Sequence, residues 1–109
     1  MNEIHIKICE ERNWVVRDYE DGWEIENESP AGEDLVVWIS KDEGGFVEGV
    51  RKYADDFDAD EHAELYAGMR GKRGVPSSIR TLINDADEIQ NMLDDLASAL
   101  EEAKDDDGN

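Results

Sequence analysis

From Trp14 to Ser40 the apolar side chains come in short runs, several of them alternating with polar ones, and from Gly45 onward they recur every third or fourth position. The first pattern predicts strands, the second amphipathic helices. WVVRDY, residues 14–19, is β-branched and aromatic, and the Asp21-Gly22 step after it is a hairpin signal. WEIENE, residues 23–28, sets Trp23 and Ile25 against Glu24 and Glu26 and predicts a second strand with one wet face. SPAGED then turns through Pro30 and Gly32 into LVVWIS, residues 35–40, whose more continuous apolar run predicts a central or better covered strand. Three strands in this order make an antiparallel meander.

The opening EIHIKICEERN reads two ways. Ile4, Ile6 and Ile8 alternate as in a strand, while Ile4, Ile8 and Cys9 would share a helix face; the helix is slightly preferred. After the sheet, Phe46, Val47, Val50, Tyr53 and Ala54 follow helical spacing as far as DDFDADE. Asp58 or Asp60 can cap a short helix holding His62, Leu65, Tyr66 and Met69, which the glycines of GMRGKRG stop. Val75-Pro76-Ser77-Ser78 is a start signal, with either Ser as N-cap for a long helix from Ile79 to about Ala103. The fold class is α+β: a three-stranded antiparallel sheet, four-stranded if residues 3–9 are extended, followed by three helices, the last one long. Residues 1–104 read as one domain and 105–109 as a disordered acidic tail.

In the long helix, Leu82, Ala86, Ile89, Leu93, Leu96, Leu100 and Ala103 are spaced alternately four and three apart. Such a seam packs along its whole length, either over the sheet and the shorter helices or against a second copy. With Ala86 at position a of a heptad, Asp87-Glu88, Asp94-Asp95 and Glu101-Glu102 all fall at b and c. Acidic pairs thus recur about every 10.5 Å along an outward edge. Residues 85–103 contain no Lys or Arg to pair with them.

Charge changes the picture further. Thirty Asp and Glu against eleven Lys and Arg leave a net charge of −19 on 109 residues. Nucleic acid and anionic membrane would be repelled by it, and a basic protein surface attracted. Further acids cluster on the hairpin (Glu20, Asp21, Glu24, Glu26, Glu28), at Glu33-Asp34, and from Asp55 to Glu64. If these share a side, they form a band of carboxylates with the charge density of a nucleic-acid backbone; otherwise they serve solubility or adaptation to high salt. Arg70, Lys72 and Arg73 form the basic cluster, which either neutralises nearby carboxylates or anchors an anionic patch of a partner. No apolar run approaches the roughly 20 residues of a membrane span, and the N-terminus lacks a signal-peptide pattern, so a cytoplasmic protein is expected.

Candidate chemistry is thin. Asp56, Asp58 and Asp60 imitate the first half of a calcium loop, but Glu61 and Ala67 stand where its Gly and Glu are required. His62 and His5 are too far apart in sequence for a two-histidine zinc spacing, and helix capping accounts for Ser77 and Ser78. Cys9, the single cysteine, reads as a small buried hydrophobe. Neither an enzyme nor a cofactor is expected.

The segments SPAGEDL, FDADEHAELY and GVPSSIRTLINDADEI resemble small acidic proteins carried by bacterial mobile elements and phages, over residues 13–100. Proteins of that kind include anti-restriction and anti-CRISPR inhibitors that mimic DNA. The resemblance implies a non-enzymatic inhibitor of a basic DNA-binding protein or nucleoprotein complex of the host, acting as a monomer or homodimer. Asp87, Glu88, Asp94, Asp95, Glu101 and Glu102 are then the first candidate contacts, with Glu24, Glu26, Asp58 and Glu61 behind them. The alternative is an assembly module that dimerises or docks a protein partner through the long helix.

Overall fold

Residues 3–11 settle as a helix because of what ends it. In the computed structural model, which describes residues 3–72 and 74–107, α1 spans Glu3–Glu11 and Asn13 takes a left-handed conformation with φ 67°. Trp14 N donates to Cys9 O and Asn13 N to Glu10 O, the paired bonds of a Schellman stop. Trp14 and Cys9 are buried side by side in the same core. Burial pushes the Cys9 thiol up to about 11, against a smaller opposing pull from Arg12, so it stays protonated and unreactive.

Strands β1 (Val15–Asp18), β2 (Gly22–Glu28) and β3 (Asp34–Ser40) form an antiparallel sheet in the order β1-β2-β3. The central strand is therefore β2, and LVVWIS lies at an edge, contrary to the expectation from its apolar run. The reason is on the outer face, where Val36 and Trp38 are about half exposed and Trp38 leans on Tyr19 at 5.9 Å between ring centroids. The alternate residues Leu35, Val37 and Ile39 point inward with Trp23 and Ile25.

The hairpin glycine is used, but for room rather than for a turn dihedral. Gly22 opens β2, and a Cβ there would run into the Trp38 indole and come within 2.6 Å of Ile39 O. Gly22→Ala should displace Trp38 from Tyr19 and cost about 1–3 kcal/mol. The checks are the urea midpoint and the Tyr19–Trp38 ring contacts seen by NMR; an unchanged midpoint with contacts intact would show that the indole has space to spare.

Helices α2 (Phe46–Asp56), α3 (Ala59–Tyr66) and α4 (Ile79–Asp107) follow, with a 3₁₀ turn before α2 and another after α3. Asp58, not Asp60, caps α3, and Ser78 O and Oγ both receive bonds from the first turn of α4. The last helix runs four residues past its expected end; Arg73 of the basic cluster and positions 108 and 109 of the tail lie outside the described residues.

The seam of α4 is consumed within the chain. Ile89, Leu93, Leu96 and Leu100 join Trp14, Ile25 and Val50 in the main core, and Leu82 and Ala86 join Ala63 and Val75 in a smaller one beneath α3. Among the described residues no helix is long and apolar enough to cross a membrane.

Candidate acidic interface

The three acidic pairs of α4 do not form one unpaired edge. Asp94 and Asp95 are neighbours in sequence, yet one reaches α2 and the other the turn that follows α1, because successive positions turn about 100° around the axis. Asp94 accepts from Gln90 Nε2 at 3.3 Å and lies 3.8 Å from Arg51 of α2. Glu101, one heptad on, receives Arg51 Nη2 at 2.8 Å, while Arg51 also reaches Asp55 and Ser98. The hydrogen bond to Glu101 raises the Arg51 pKa further, so this cation is permanent. On the other side Asp95 receives Arg12 Nε at 2.8 Å. Asp87, Glu88 and Glu102 are exposed and have no ion pair or hydrogen bond of their side chains among the described residues.

The second group divides similarly. Glu24 and Glu26 both accept from Arg17 Nη1, at 3.2 and 2.9 Å, on the solvent face of the sheet. Asp58 is occupied as a cap, accepting from the backbone N–H groups of Asp60 and Glu61. The Glu61 side chain is exposed, as are Asp55, Asp56, Asp60 and Glu64 around it. Glu33, counted among the surface acids from sequence, is instead 2% exposed, with Oε2 at 2.7 Å from His62 Nε2. The His62 ring lies against Phe57 and Tyr66.

The sequence reading missed the polar network that joins sheet to helices. Asp85 of α4, 4% exposed, accepts from Ser29 Oγ and from Ala31 N at 3.0 Å. Ser29 Oγ in turn accepts from Glu33 N at 2.9 Å, and Ser29 N donates to Glu33 O. One buried carboxylate thus clamps the 29–33 connection onto α4, and Glu33 carries the link on to α3. The signal was available: Asp85 is three after Leu82 and four before Ile89, on the buried face.

Between the edge of β3 and the facing parts of α2 and α3 runs a groove of about 410 Å³. Its walls include Tyr53, Phe57, His62 and Tyr66, and its acidic members are Asp56, Asp58 and Glu61. Burial, with a smaller contribution from Tyr66, raises the Tyr53 hydroxyl above its ordinary value, so it remains a neutral donor. Among the described residues no group of three His, Cys, Asp or Glu side chains is placed to hold a metal ion. Comparison of the chain with protein-family models, with curated proteins and with solved structures finds no match.

Proposed function

We propose that this chain is a non-enzymatic mimic of nucleic acid, which binds a basic nucleic-acid-binding protein or complex and competes with its natural polyanion. The observation that carries the reading is charge density. A net charge of −19 on a body 47 Å long is about one net negative charge per 2.5 Å, against roughly one per 1.7 Å along duplex DNA. The resemblance to small acidic proteins of mobile elements favours a host defence complex as the target.

The exposed carboxylates Asp87, Glu88 and Glu102 are the first contacts, with Glu61 on α3 behind them. Asp94, Asp95 and Glu101 add to the field but also hold Arg12 and Arg51, so reversing them would disturb the packing of α1 and α2 on α4. Association is steered by long-range attraction and weakens steeply with salt.

The test is capture from a host lysate at low salt on the immobilised chain, followed by elution with excess duplex DNA. A nuclease or recognition complex should elute, and the Asp87→Lys/Glu88→Lys/Glu102→Lys variant should hold it on the order of a hundredfold more weakly, since like charges placed opposite one another cost several kcal/mol. Captured protein that resists both DNA and raised salt would sink mimicry. That result would favour docking through apolar side chains left open at the start of α4 and on α3, where Ile79 is 49%, Ile83 46% and Leu65 67% exposed.

A further inference from the structure

The groove beside β3 has one wall made of backbone. Lys41 N donates to Asp21 O, and Ser29 N donates to Glu33 O, which fixes the bonded pairs of β2 and β3 at odd-numbered residues. The N–H and C=O groups of Val36 and Trp38 therefore point away from β2, toward an edge on which the described residues place no further strand. Among the described residues they make no backbone hydrogen bond there. An edge of this kind is a template for an added strand.

We infer that this edge and groove take an extended peptide segment of a protein partner, paired to β3 as a fourth strand, with Arg or Lys side chains reaching into the groove. Charge complementarity selects the occupant. Asp56 and Glu61 stand exposed along the groove, outnumbering its one cation, Lys52. Tyr53, Phe57 and Tyr66 line the groove between them, and a guanidinium is attracted both to carboxylates and to aromatic rings. An acidic segment would be repelled, and a purely apolar one would leave the carboxylates unanswered. The inference rests on the preceding reading only for the sign of the partner's charge; of the residues used there it shares Glu61 alone.

The probe is a short end-blocked peptide of alternating Val and Arg, compared with its Val and Glu counterpart, against the full chain labelled for NMR. The Val-Arg peptide should shift the amides of Val36 and Trp38 and bind at least tenfold more tightly than the Val-Glu peptide. Val36→Pro removes one edge donor at a position where proline is tolerated. It should weaken binding about tenfold while leaving the net charge untouched. Asp56→Lys/Glu61→Lys should reverse the preference between the two peptides, independently of whether the proline variant folds.

If the Val36 and Trp38 amides do not move, or the two peptides bind alike, the inference is overturned. The α4 triple-lysine variant separates it from mimicry. Peptide binding retained there, with capture of the DNA-competed complex lost, supports both readings; DNA-competed capture from lysate with no amide shift removes the groove and leaves mimicry standing.

Discussion

Asp85→Ala is expected to lower the unfolding free energy by roughly 2–4 kcal/mol, although it removes one negative charge from a chain carrying −19. Net-charge reasoning alone gives the opposite sign, because a strongly negative chain repels itself. What decides is the state of the partners left behind. Ser29 Oγ donates to Asp85 in a buried part of the molecule, and Ala31 N donates to it from the part-buried rim. Stranding the buried Ser29 hydroxyl costs about 1–3 kcal/mol and losing the Ala31 bond adds to it, far more than the relief of one screened charge.

The control is Asp87→Ala, two residues along the same helix, where an exposed carboxylate has no partner among the described residues; its effect should stay within about 0.5 kcal/mol of zero. Urea unfolding of both variants checks the contrast. Equal midpoints would mean that Asp85 is hydrated and that the 29–33 connection is held by something else. A Ser29→Ala/Asp85→Ala cycle should further show the two losses to be strongly non-additive, because each removes the same bond.

The contrast between Asp85 and Asp87 also marks what the sequence could disclose. Binary pattern gave the three strands, the three later helices and the seam, since each depends on local period. The ambiguity at residues 3–9 was resolvable from Asn13-Trp14, a left-handed stop with an apolar residue after it, which belongs to helices and not to strands. Asp85 was legible by the same geometry that located Leu82 and Ile89.

The pairing of the acidic ladder was not legible. Arg51 lies 43 to 50 residues before Asp94 and Glu101, and only the packing of α2 on α4 brings them together. Nor could period alone say that LVVWIS is an edge, because an outer face sheltered by a Trp38–Tyr19 contact reads like a covered one. Sequence therefore finds the acids and overstates how many are free.

The largest expected effect is at Leu96, and it bears on which side of α4 works. Leu96→Asp removes a fully buried side chain and puts a carboxylate against Ile25, Val50 and the rest of the main core. The lost packing costs about 2–5 kcal/mol, and an unpaired charge in that site costs several more. A domain of this size is stable by roughly 5–15 kcal/mol in total, so the variant should be largely unfolded at 25 °C. Circular dichroism and gel filtration read the result directly. Ile83→Asp, on the exposed side near the start of the same helix, should remain folded. The opposite pattern, a folded Leu96→Asp chain that differs only in oligomeric state, would mean that the seam faces a second copy. It would also mean that the outer arc of carboxylates is not the surface this helix presents. The two variants thus assign the two sides of α4: one side is committed to the fold, which leaves the charged side as the one free to meet a partner.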